Sequence, residues 1–361
     1  MNVLVLLPSR QRLSFCYFAN GWQQPICAGQ YDDYRDADGS RLALTELTRS
    51  LAEAGRAHNA PARPDVIALR GISGGADFKK PALVSPGVLR KLEKRVPFAP
   101  LHIPALVALI HAAQAAFRGV PIVLVFETGF FVDLPEREHL YAVDANLTQT
   151  VGVRRFGYHG ILHAAACNHI ARQRHAMGVH SPARVISICL EPRPELAAVL
   201  GHKPLMVTSG ATPLEGLPGQ TTSGELDPSI VLMLAQKMGW GPEQINAVLT
   251  QQSGWLGLVG RMTTLPEIFA SHRPECELAR KIIQYRLLQA CGAGLAALSG
   301  LDALVFSGRY SGVGVSLGPW LKKHLASHRP ESSITVTLCQ EPVERVLAET
   351  VCAAALKLKP S

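Results

Sequence analysis

The sequence predicts an α/β protein of two domains, on three observations. Short β-branched runs alternate with longer helical patterns along the whole chain. The 361 residues exceed one ordinary core, which takes roughly 150. Each half opens with a strand that feeds a hairpin or loop, a symmetry that points to a duplicated fold.

The elements follow in order. Val3–Leu7 is a buried first strand, and Leu42–Ala54 a helix. Strand Val66–Leu69, helix Pro104–Phe117 and strand Ile122–Phe126 complete the first half. The second half begins with helix Gly160–Met177 and strand Val185–Leu190, and Leu196–Val207 reads as a hairpin turning at Gly201 and His202. Helices Ser229–Met238, Pro242–Gln251 and Glu277–Leu298 follow, then strands Ala303–Phe306 and Ile334–Leu338 and a final helix Val343–Lys357. The hexapeptide ASHRPE occurs at Ala270–Glu275 and again at Ala326–Glu331. Each copy follows a helical pattern, so its His and Arg are expected at a helix C-terminus and its proline as a helix stop.

Composition excludes several classes. A 47% hydrophobic share with 18% charged residues belongs to a compact globular chain. No apolar run reaches the roughly 20 residues a bilayer requires. The first apolar run has neither a basic region ahead of it nor a small-residue cleavage site after it, so it reads as a strand and not as a leader. The eight cysteines are scattered without a CxxC pair, which predicts reduced thiols in the cytoplasm. The net charge of +8 comes from dispersed basic residues, and no nucleic-acid partner is expected. Attraction to small anions explains it as well.

Four local patterns carry chemistry. RRFGYHGILH (Arg154–His163) resembles RYGFHGTSH of the acetate kinase family, and APLHIP (Ala99–Pro104) its APLHNP. VFETGFFVDLP (Val125–Pro135) resembles VFDTAFHQTMP, and TPLEGLPGQTTSGELDP (Thr212–Pro228) resembles TPLEGLMMGTRSGDLDP without a gap. The blocks keep the family's order over most of the chain. The resemblance implies a two-domain, duplicated ribonuclease-H-like (actin/acetate-kinase) fold with an interdomain cleft. Residues 1–131 plus 343–361 would form the first actin-like domain, and 132–342 the second, with a dimerisation surface.

The family transfers a phosphoryl group between ATP and a carboxylate, chemistry that rests on positioning and cationic stabilisation of the equatorial oxygens. Carried over residue by residue, Arg70 would hold the phosphoryl group or the carboxylate, and its guanidinium fork suits either anion. His159 and His102 match the family's two active-site histidines; for His102 a packed core role stands beside that reading. His159 and His163 have the i, i+4 spacing of a metal pair but lack an acidic third ligand. Glu127 stands for an active-centre aspartate, its carboxylate displaced by one methylene. Glu341 falls one residue from the family's magnesium-associated glutamate, and reads equally as the first-turn acid of the final helix.

The departures from the family pattern converge on phosphate and nucleotide. NAGSSSLKF is replaced by LPSRQRLSF, with Leu7 for the asparagine. HLGNGGS, a glycine turn whose amides cradle phosphate, is replaced by CLEPRPE (Cys189–Glu195). Its two prolines lack N–H donors, and Glu191 and Glu195 are expected to bring negative charge to the phosphate position. At about 4 Å and an effective dielectric near 20, each charge would cost an anion roughly 4 kcal/mol, which Arg193 offsets in part as an anion-binding cation. On the nucleotide side FTGGIGEN becomes FSGRYSGVG, so Gly308, Arg309, Tyr310 and Gly312 would line a degenerate pocket that the bulky pair fills, or in which Tyr310 stacks on a different ligand. Thr222 stands for the second active-site arginine, whose loss costs on the order of 10³ to 10⁵ in rate.

Two functions follow from the resemblance. One is an acetate-kinase-like protein with phosphotransfer lost or strongly reduced that still binds a small carboxylate or phosphate-type anion. The other is an active short-chain acyl kinase with an altered substrate or donor, using ATP and Mg2+. Either is expected as a cytoplasmic homodimer, without a nucleic-acid or membrane partner.

Overall fold

The computed structural model describes residues 1–9, 12–19, 21, 24–99, 102–326 and 334–358. The chain divides into two compact units, Met1–Val132 joined by the chain from Pro342, and Asp133–Glu341.

The first unit opens with a meander, β1 (Val3–Pro8), β2 (Arg12–Phe18) and β3 (Cys27–Asp32), paired antiparallel. Helix α1 (Ala37–His58) follows, capped by the Asp36 carboxylate, which accepts the Gly39 amide at 2.7 Å. Next come β4 (Val66–Gly71), the short β5 (Ala82–Leu83), α2 (Pro86–Lys94), α3 (Ile103–Ala116) and β6 (Ile122–Phe126). The sheet order is β3-β2-β1-β4-β6-β5, with β1, β4 and β6 parallel. Alternation sorts the strands onto two apolar layers. Leu4, Leu6, Ile67 and Leu69 pack with Leu44, Leu47 and Leu109 of α1 and α3. Val3, Val5, Val66 and Ala68, their neighbours in sequence, are equally buried and face the other way.

The second unit begins with short helices α4 (Glu136–His139) and α5 (Ala145–Val151) before α6 (Gly160–Ala176). A second meander, β7 (Arg184–Cys189), β8 (Glu195–Leu200) and β9 (Lys203–Val207), is followed by α7 (Pro228–Met238), α8 (Pro242–Gln251), α9 (Gly254–Val259), α10 (Leu265–Ala270) and α11 (Pro274–Leu298). Then come β10 (Ala303–Ser307), α12 (Gly314–Ala326) and β11 (Thr335–Leu338), and α13 (Val343–Leu358) packs on β1 and β4 of the first unit. The order β9-β8-β7-β10-β11 repeats β3-β2-β1-β4-β6, so the fold is duplicated. Pro204, which cannot donate to a ladder, sits in the edge strand β9. Ile186, Ile188, Leu304 and Phe306 meet Leu287 and Cys291 of α11 in one core. Ser187, between the two isoleucines, faces α6.

The expected strands and helices are present, with ends moved by a few residues. Strands β2, β3 and β5 and helices α2, α4, α5, α9, α10 and α12 have no individual counterpart among the expected elements. The reading of ASHRPE needs correction. Its first copy does follow a helix, α10, but Pro274 opens α11 as its first residue and does not stop α10. A proline fits there because the first-turn amide has no intrahelical acceptor. The second copy lies, past Ala326, outside the described residues. Among the described residues no helix is long and apolar enough to cross a membrane.

Candidate active site

In the first unit the parallel pairing of β4 and β6 sets Arg70 opposite Val125. Glu127 begins the short turn that follows β6, so the two charged side chains emerge at neighbouring strand ends. Arg70 Nε lies 2.7 Å from Glu127 Oε1, with the carboxylate 1% exposed and the arginine 22%. The approach is off the N–H axis, so this is a charge contact without a hydrogen bond. Gly71 and Gly74 of LRGISGG are small because Phe126 lies against them; a Cβ would come within 2.3 and 2.5 Å of its ring. His102 caps the N-terminal end of α3. It lines a cavity of about 20 Å3 with Arg70, Ser9, Tyr34 and Ser73, which is room for a water-sized group.

In the second unit the RRFGYHG segment leads into α6 with His159 at its N-cap. The Glu195 carboxylate, 1% exposed, sits on that helix end. It accepts the Tyr158 amide at 2.8 Å, the His159 amide at 3.0 Å and His163 Nε2–H at 3.2 Å. The other ring nitrogen of His163 meets Ser187 Oγ at 2.8 Å. Burial pushes the Glu195 carboxyl up, but the His163 hydrogen bond and the charges of His159 and His163 outweigh it, holding the group down at about 2. Glu195 is therefore turned inward onto the start of α6 and is not a bare charge at an open turn. It is an anion already seated on the positive end of α6. His163 is a buried link in this network and not half of a metal pair. His159 Nε2–H donates to the Arg193 carbonyl at 3.0 Å, while the Arg193 side chain points outward.

The segment Thr212–Pro228 is pinned to its surroundings by backbone bonds. Gln220 donates its amide to Pro192 O at 2.6 Å, which ties the loop to the CLEPRPE turn, and Gly219 accepts the Trp255 amide at 2.9 Å. Thr222 is 2% exposed, and its Oγ1 would lie 2.3 Å from a Cβ at Gly219. Glu215 accepts Arg155 Nη2 at 2.7 Å and the Tyr141 hydroxyl, joining this loop to RRFGYHG.

The two altered turns of the second unit meet each other. Glu191 Oε1 accepts the Arg309 amide at 2.8 Å, and its other oxygen lies 3.7 Å from Arg309 Nε. Glu191 is thus partnered by Arg309 and not aimed at an anion. The Arg309 side chain is 67% exposed. Tyr310 packs on the second core, and burial raises its phenol. Of the bulky pair, one member is turned to solvent and the other is held against the core. Gly308 has φ 85° and a Cβ there would meet Leu190 O at 2.9 Å, so glycine is required. Gly312 has open space around it.

Glu341 accepts Arg172 Nη2 at 2.8 Å. Its carboxylate also groups with His169 and Cys339, ligand atoms within 4.8 Å of one another. Magnesium prefers an octahedral oxygen shell; a guanidinium, an imidazole and a thiol do not supply one, so these residues do not fit that ion.

Sequence reasoning missed Ser187, Arg155 and Tyr141 altogether, and for His163 and Arg309 it missed the internal partners, Glu195 and Glu191. A buried strand beginning with an acid, ELAAVL, is the signal that could have exposed the pairing of Glu195, because a buried carboxylate needs partners.

Comparison with known proteins agrees with this geometry. Residues 24–316 match the model described as the Acetokinase family. The chain is 34% identical over 255 residues to acetate kinase of Thermosipho africanus, covering 69% of this chain and 61% of that protein. It is 35% identical over 268 residues to acetate kinase 1 of Neisseria meningitidis serogroup B, covering 73% and 67%. The matched region thus spans about three fifths to two thirds of the length of these curated relatives. Among solved structures, Porphyromonas gingivalis acetate kinase superimposes with a TM-score of 0.86 at 24% identity, over 98% of this chain and 99% of that one. A propionate kinase from Francisella tularensis gives 0.85 at 24%, over 97% and 98%. The structural likenesses establish the two-domain actin-like fold, and the family match with the sequence relatives shows that the chain belongs to the acetokinase family.

Proposed function

We propose that the protein is an acetate-kinase-like binder of a small carboxylate or phosphate-type anion in which ATP:carboxylate phosphotransfer is lost or strongly reduced. The observation that carries this reading is Glu195: the amides at the start of α6, which would otherwise be donors for an incoming anion, are taken by the protein's own carboxylate. The buried Thr222 in place of an arginine supports it. Arg70 and His102, kept from the family pattern, line one small cavity on the first unit. That same pair favours a second reading, an active acyl kinase with an altered carboxylate or phosphoryl donor.

Titration calorimetry with MgATP, coupled to hydroxylamine trapping of acyl phosphate over a panel of carboxylates, separates the two. The first reading expects no micromolar nucleotide binding and no Arg70-dependent hydroxamate. Binding with such a signal would establish the second. Assembly as a homodimer through the second unit fits helix α7, which has no buried residue and exposes Ile230, Leu232, Met233 and Met238.

A further inference from the structure

A cavity of about 630 Å3 lies within the second unit, lined by the C-terminal half of α6, the connection to β7 and the β8–β9 turn. It is at the opposite end of β7 from Leu190, Glu191 and Glu195, a strand length of about 17–20 Å away. It is therefore separate from the candidate active site, and its volume falls in the roughly 300–1,000 Å3 range of small-molecule sites.

Its chemistry is one-sided. Arg174 and His175 come from α6, His180 from the following loop, and His202 and Lys203 from the hairpin turn. Two basic groups in the last turn of a helix are expected for the dipole alone, but His180, His202 and Lys203 come from other segments and have no such reason to converge. The carboxylate in the lining, Asp133, interacts with Arg154, and Asp302, which feels the charge of Arg174, is outside the lining and hydrogen-bonded to Arg184. Arg174 Nη2 donates to Ser181 Oγ at 3.0 Å, while its Nε is buried without a hydrogen-bond partner. A buried, unmet N–H on a guanidinium is costly unless an acceptor arrives, and a phosphate oxygen is the acceptor that a guanidinium fork fits best. Val179, Pro182 and Leu200 add apolar wall, which inorganic phosphate alone would leave uncovered.

We propose that this cavity is a second ligand site that binds an organic phosphate, the phosphoryl group at Arg174 and Lys203 and the organic part on Val179, Pro182 and Leu200. Its test is titration calorimetry of the full chain with phenyl phosphate. Expected is binding at least tenfold tighter than that of inorganic phosphate, weakened at least tenfold by Arg174→Gln and by the double substitution His202→Gln/Lys203→Gln. The double variant changes two exposed side chains, one in the β8–β9 turn and one at the start of β9, so it reads the site even if Arg174→Gln fails to fold. Arg70→Gln should leave the binding in place. No binding at millimolar ligand, equal affinity for inorganic phosphate, or loss in Arg70→Gln with retention in the hairpin variant would each overturn the proposal.

Discussion

His163 Nε2 lies 3.2 Å from Glu195 Oε1, and both side chains are almost wholly shielded from water. An imidazole and a carboxylate in such a place are stable only as a satisfied set, with Ser187 on one side and the α6 amides on the other. The pair fixes where His159 begins its helix, so a residue in a replaced turn determines the position of a retained one.

Glu195 makes acid stability a direct readout. Its carboxyl is held at about 2 against an ordinary 4.5. A depressed acid contributes fully above its unfolded value and loses that contribution as pH falls toward its folded value. The shift corresponds to about 3 kcal/mol. Urea unfolding of wild type and Glu195→Gln should differ by roughly that much at neutral pH, with the gap narrowing below pH 4.5. A gap constant across that window would remove Glu195 as its source.

Breaking the first-unit ion pair from one side should be worse than removing it whole. Arg70→Met removes the counter-charge from a buried Glu127 carboxylate and is expected to cost about 3 kcal/mol, because breaking a buried pair from one side is strongly destabilising. The double variant Arg70→Met/Glu127→Met should recover part of that loss. Chemical denaturation of the four-member cycle measures the coupling, and simple additivity would contradict the pairing.

Restoring the family's arginine should not restore activity. Thr222 is enclosed by the Gly219 and Gly254 backbone, so Thr222→Arg is expected to overpack the loop and destabilise by about 1–3 kcal/mol. Hydroxamate formation should stay at background, and a melting curve records the strain. A rise in acyl phosphate in the Thr222→Arg variant over wild type would show instead that the loop opens to admit the cation.

The apolar side of α7 gives an oligomer prediction. Leu232→Glu with Met233→Glu should convert a dimer into a monomer in light-scattering chromatography without lowering the melting temperature of the subunit, since both side chains are exposed. A monomeric wild type would end the dimer reading.

The order of elements was largely legible in the sequence because strands such as IVLVF at Ile122–Phe126 are buried along their whole length. β3, CAGQYD, is mostly exposed at a sheet edge and carries no apolar period. α12 is obscured by its glycine start and internal Pro319. In the candidate site, local spacing revealed which residues had changed but not what they now touch. Glu195 finds Tyr158 thirty-seven residues away, and Glu191 finds Arg309 at a separation of 118. Partners at such distances come from the pairing of β7 with β10 and the docking of α6, which no window of sequence contains.

The return of α13 to β1 and β4 has a consequence for biogenesis. Leu347, Ala348 and Val351 are wholly buried, so the sheet that leaves the ribosome first lacks one of its covers until the entire second unit has been made. Nascent β1 and β4 would then hold Val3, Val5 and Val66 bare through most of translation, an interval in which a chaperone that grips extended apolar chain has its natural substrate.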